Sequence, residues 1–202
     1  MEGRRGYVHV GRTAAGSREV MARGNLCYTD FMANFKGFDE AQVQILTADL
    51  ESARQISTRC ASFPAAAAIL FREAFAIDST DEEHAGPIRA VYSGFAARMA
   101  TANLEFHAGI GDAAALEFDS FPDRTRPNTI LVRPSYFFKA PVDRALTLVH
   151  HYVHLRFPRN PGDGHPGGMV AMFARGNMRI PPEDACRNPY CYEYFARFLP
   201  LV

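Results

Sequence analysis

Residues 128–155 read NTILVRPSYFFKAPVDRALTLVHHYVHL, and their pattern decides how the rest of the chain is to be read. NTILVRP (128–134) is short and rich in β-branched residues, and turn-forming residues bound it, which predicts a strand. SYFFKAP (135–141) is a tight connection. Pro141-Val-Asp143 then opens a helix to about Arg156, with Asp143 as candidate N-cap and Pro158 as the stop. On that helix His150 and His154 stand at i and i+4, about 40° apart around the axis and one turn apart along it. Two imidazoles so placed can reach one tetrahedral cation.

Outward from this helix, four of the seven histidines, His150, His151, His154 and His165, fall within sixteen residues. His165 follows His154 by eleven residues, across FPRNPGDGHPGG (157–168), which holds three Pro and four Gly and reads as a rigid irregular loop. That loop can return His165 to the same ion. Three neutral imidazoles suit one zinc ion and leave a fourth position for water. The bland alternative is a set of ordinary helix-face histidines that bind nothing.

The same residues resemble the deuterolysin or aspzincin family of zinc metallopeptidases, whose members carry a strand, a Phe-rich turn and a helix with T-L-[IV]-H-E-x-x-H. Downstream the family has G-T-x-D-x-x-Y-G, with the Asp as third zinc ligand, and near the C-terminus often N-x-x-x-Y-x-x-F-A. NPYCYEYFARFL (188–199) matches that ending at Asn188, Tyr192, Phe195 and Ala196. The resemblance spans about residues 40–199 and is strongest over 128–165 and at the end. It implies a mostly helical, zincin-like α+β domain over 39–202, with a small sheet or hairpin before the metal-binding helix. It also implies zinc on His150 and His154 and a peptide or protein substrate.

The departures bear on chemistry. The family's Glu after the first His is His151, giving HHxxH. With the downstream Gly placed on Gly162, the Thr position is Asp163 and the ligand Asp becomes His165, while the Tyr falls on Gly168 and the closing Gly on Met169. Asp163 stands as the alternative third ligand or as a partner orienting an imidazole, a role also open to Asp184. A neutral His151 can accept a proton, but neighbouring zinc and imidazoles disfavour its charged form. Since general-base catalysis is worth about 10²–10⁴-fold, weakened proteolysis is expected. A fourth-ligand role for His151 would close the site. Glu193 is a surrogate base only if the terminal helix packs over the cluster, and one of Tyr190, Tyr192 or Tyr194 can replace the missing tyrosine hydroxyl. The competing readings are thus a divergent zinc hydrolase, a catalytically inactive metal-containing module that binds a protein partner, and a scaffold without metal.

The remaining chain fits one domain plus an arm. Residues 1–38 read as an irregular arm with a short strand at YVHV (7–10). Val43, Leu46, Leu50, Ala53 and Ile56 predict a helix from Asp39, its N-cap, to Cys60. Further helices are expected over 65–76, 87–103, 169–176 and 181–199, and a strand at LEFDSF (116–121). Lys+Arg and Asp+Glu are 22 each, which removes the electrostatic case for nucleic acid or an anionic membrane as partner. No apolar run approaches a membrane span. The N-terminal residues lack an apolar core, so no secretory leader is read, and the cytoplasm or leaderless export is expected. Cys27, Cys60, Cys186 and Cys191 allow two disulfides or four thiols.

Overall fold

The first long helix, α1 (Glu40–Ala61), begins where its cap dictates. Asp39 is extended and its Oδ1 accepts from the Gln42 N–H at 2.8 Å, while Gln42 Oε1 accepts from the Asp39 N–H at 3.1 Å. This reciprocal box satisfies two otherwise orphaned donors. The predicted stripe, Val43, Leu46, Leu50, Ala53 and Ile56, is the buried face, and Cys60 extends it. The computed structural model describes residues 9–12, 18–21, 33–101, 105–108, 120–122, 129–157 and 181–199.

After a 3-10 turn at Ala65–Ala67, α2 (Ala68–Phe75) ends on Ala76, whose φ of 56° is left-handed. Helix α3 runs Glu82–Thr101, so it begins before Pro87 rather than at it. Pro87 lies close enough to the start to remove a single intrahelical bond. Glu82 and Glu83 in the first turn suit the positive end of the helix dipole, and Arg89 clamps Glu82 at 2.7 Å. Helix α4 is Pro141–Arg156, as expected, but its N-cap is Ala140. Pro141 takes the first helical position, where its fixed φ and missing N–H cost nothing, and this moves Asp143 into the first turn. The single helix expected over 181–199 is two: α5 (Pro182–Ala185) and α6 (Pro189–Phe198). Pro189 cannot continue a helix, and Asn188 caps the new one by accepting from the Tyr190 N–H at 3.0 Å. The helix expected over 169–176 lies outside the described residues.

Among the described residues six short strands form one mixed sheet in the order β1 (His9–Arg12), β2 (Arg18–Met21), β3 (Asn34–Lys36), β4 (Glu105–Ala108), β6 (Thr129–Val132), β5 (Ser120–Pro122). β3, β4 and β6 are parallel neighbours, and the other pairings are antiparallel. Helices α1–α3 supply the crossover from β3 to β4 that a parallel pair requires. The α+β, mostly helical class is the one expected, with a larger sheet. The strand expected at 7–10 overlaps β1 at His9–Arg12, and Arg18–Met21 and Asn34–Lys36, read as irregular, are strands as well. The β-branched run of β6 and the YVHV stretch are visible in the sequence, whereas β2 and β3, of four and three residues, show too little alternation and owe their form to cross-strand backbone bonds.

Helix α1 packs on α3 and α4, and α4 packs on α6. Phe71, Phe75, Tyr92, Tyr192 and Phe195 form the aromatic centre where α2, α3 and α6 meet. Tyr136, Asp49 and Arg144 tie α1 to the start of α4. Asp49 Oδ2 accepts from Arg144 Nε at 2.7 Å and from the Tyr136 hydroxyl at 3.0 Å, and Arg144 Nη1 reaches the Lys139 carbonyl at 2.7 Å. Cys60, Cys186 and Cys191 are free thiols, which sets aside the two-disulfide alternative, while Cys27 lies outside the described residues. Among the described residues no helix is long and apolar enough to cross a membrane.

Candidate metal centre

The last two turns of α4 carry His150, His151 and His154, whose ligand nitrogens lie within 4.8 Å of one another. Leu146, Leu148, Val149, Tyr152 and Val153 bury the faces of α4 that meet the core, so the helix cannot rotate its histidines away. His150 and His154 face each other through their Nε2 atoms at 3.1 Å. Two nitrogens at about 2.0–2.1 Å from a tetrahedral zinc stand about 3.3 Å apart, so the pair already has the separation one cation requires. Helical spacing predicted this pair directly.

His151 points into the protein. It is 5% exposed, and its Nδ1 is buried without a hydrogen-bond partner. Burial, with the neighbouring His150, His154 and Lys139 adding to it, holds its pKa well below the ordinary histidine value. The ring is therefore neutral at physiological pH and resists taking up a proton.

The other side of His150 meets the terminal helix. Its Nδ1 lies 3.2 Å from Glu193 Oε2 on α6, and the Tyr190 ring packs edge-on against it at 4.7 Å between centroids. Glu193 Oε1 accepts from Arg197 Nη2 at 3.4 Å, and the same nitrogen meets Asp143 Oδ1 at 2.8 Å. Burial raises the Glu193 pKa, but the hydrogen bond and charge of His150, joined by those of Arg197, outweigh it and bring the carboxyl below its usual range. Glu193 is thus an ionised acceptor. Its carboxylate meets the nitrogen of His150 that faces away from His154, which is not where a surrogate base would have to stand.

The remaining sequence candidates divide. His165 and Asp163 lie outside the described residues. Asp184 sits on α5, and no described contact joins it to the histidines. Of the three tyrosines, Tyr190 stands beside the site, whereas the Tyr192 hydroxyl donates to the Cys186 carbonyl at 2.8 Å and Tyr194 stacks on Phe198. Asp143, read as a cap, is instead the far anchor of Arg197. The sequence signal for Glu193 was its place in the YEYF run of the terminal helix, but only the packing of α6 on α4 could show which nitrogen it meets.

No protein-family model and no curated protein matches the chain. Among solved structures, a zinc peptidase from Grifola frondosa is similar, with a TM-score of 0.62 and 19% identity, covering 81% of this chain and 98% of that one. At that identity the likeness speaks for architecture. The chain therefore shares the fold of a zinc peptidase and carries, on α4, a cluster of three histidines that could hold a metal ion.

Proposed function

We propose that the protein is a divergent zinc metallopeptidase of the aspzincin type, with one zinc ion held by His150, His154 and a third ligand, His165, for which Asp163 is the alternative. The observation that carries this reading is the 3.1 Å approach of two imidazole nitrogens on adjacent turns of one helix. At that distance the two nitrogens share either a proton, as a hydrogen bond, or a cation, and the zinc-peptidase fold favours the cation. A zinc ion bound there would act as a Lewis acid toward a peptide carbonyl and acidify a water.

The chain's own residues then set the rate. His150 and His154 would offer the ion their facing Nε2 atoms. His151 occupies the position from which a carboxylate would take a proton, but its burial makes the protonated ring costly, so proton removal there is slow. Hydrolysis is accordingly weaker than a carboxylate at 151 would allow.

The second reading, a metal-containing module that binds a protein or peptide without cleaving it, draws on the same His151. Elemental mass spectrometry of untagged protein, beside His150→Ala/His154→Ala/His165→Ala, tests the common ground. About one zinc per chain, lost in the variant, is expected. No metal even after zinc is offered would refute both readings. Cleavage of unfolded protein substrates, abolished in the variant, then separates enzyme from binding module.

A further inference from the structure

Resting on that zinc reading, we propose that Glu193 is a positioning residue of the metal centre. It holds His150 as the Nδ1–H tautomer, so that Nε2 presents a lone pair beside His154, and Arg197 with Asp143 holds Glu193 in place. The Glu193 carboxylate oxygen 3.2 Å from His150 Nδ1 is placed to accept a hydrogen bond from it, which puts the ring's proton on that nitrogen. In a neutral ring the proton on Nδ1 leaves Nε2 bare, and Nε2 is the atom 3.1 Å from His154 Nε2.

The second carboxylate oxygen is engaged as well. Oε1 meets Arg197 Nη2 at 3.4 Å, and that nitrogen meets Asp143 Oδ1, in the first turn of α4, at 2.8 Å. The arrangement closes a loop. Asp143 and His150 stand on one helix, Glu193 and Arg197 on the other, and each helix fixes the other's rotation. The side chains of His150 and Glu193 are 12% and 17% exposed, so water competes little for the contact. Carboxylates behind metal-binding imidazoles raise ligand basicity and lock ring orientation, and losing one typically costs about 10–100-fold in metal affinity.

Two measurements on the full chain test this. Long-range ¹H–¹⁵N correlation spectra of the metal-free protein read the His150 tautomer, with His150→Gln used for assignment. Competition with a chromogenic chelator reads the zinc Kd of the wild type, Glu193→Gln and Glu193→Leu. The expected results are an Nδ1–H ring in the wild type, a shift toward Nε2–H in Glu193→Leu, and a zinc Kd about 10–100-fold weaker in that variant. Glu193→Gln, which keeps shape and a carbonyl acceptor, falls between them and carries the comparison if the leucine variant does not fold. An Nε2–H ring in the wild type, or a Kd equal in all three proteins, overturns the proposal. A wild type that takes up no zinc at all overturns the zinc reading and with it the metal half of this inference; normal wild-type zinc binding that neither variant changes overturns the role of Glu193 alone.

Discussion

Replacing Asp49 by Leu should unfold the protein far more readily than the loss of two hydrogen bonds suggests, and adding Arg144→Met should largely reverse the loss. Asp49 is 2% exposed, and its Oδ2 receives both Arg144 Nε at 2.7 Å and the Tyr136 hydroxyl at 3.0 Å. Breaking a buried pair from one side costs about 3–5 kcal/mol, because the surviving charge stays buried without its counterion. Here Arg144 keeps the Lys139 carbonyl at 2.7 Å and its side chain is 12% exposed, while the Tyr136 hydroxyl retains the Arg144 carbonyl at 3.3 Å. The cost therefore sits at the low end, about 3 kcal/mol. For a chain of this size that lowers Tm by about 6–12 °C. In the double variant two apolar side chains fill the space and no charge is stranded, so the net change is within about 1 kcal/mol. A urea-unfolding cycle over the wild type, both single variants and the double variant measures the coupling. Burial pushes the Asp49 carboxyl above its ordinary 3.8, although the hydrogen bonds and charge of Arg144 and the Tyr136 hydroxyl pull it down. The folded state thus binds this proton more tightly than the unfolded chain. The stability so gained is full below pH 3.8 and is lost as pH rises through the folded-state value. Relative to Asp49→Asn, the wild type should lose stability across that window and then level off toward neutrality. A single-variant cost below about 1 kcal/mol, a double variant as damaged as the two singles summed, or the opposite pH slope would refute the reasoning.

His151→Glu should raise peptide hydrolysis by about 10²–10⁴-fold in a protease assay, the usual worth of a general base; an unchanged rate would favour the binding-module reading. Burial pushes the Cys60 and Cys191 thiols up to about 12, so in the folded protein both should resist iodoacetamide at pH 8 while half-exposed Cys186 is labelled well before them, as peptide mapping would show. A Cβ on Gly94 would stand 2.8 Å from the Tyr152 hydroxyl. Gly94→Ala should therefore lose about 1 kcal/mol by urea unfolding despite a better helix former, and should turn neutral or stabilising in a Tyr152→Phe background.

What could be read along the chain is what depends on near neighbours. Asp39 and Gln42 close a capping box three residues apart, Val43 to Ile56 lie on one face at helical spacing, and His150 and His154 meet because they are one turn apart. Each follows from the fixed geometry of a single helix, and so did the α4 boundaries and the histidine pair. Where local reading went astray, a neighbour in sequence competed with another one: Pro141 displaced Asp143 from the cap, and Pro189 divided the terminal helix. The rest is set between elements distant in sequence. Strands of three or four residues gain their hydrogen bonds only from partners, so β2, β3 and β4 left no periodic trace. His151 takes its neutral, buried state from the core on which α4 packs. Glu193 meets His150 across a gap of 43 residues because α6 packs on α4, and only that packing decided that its carboxylate reaches the Nδ1 side of the ring rather than the side facing His154.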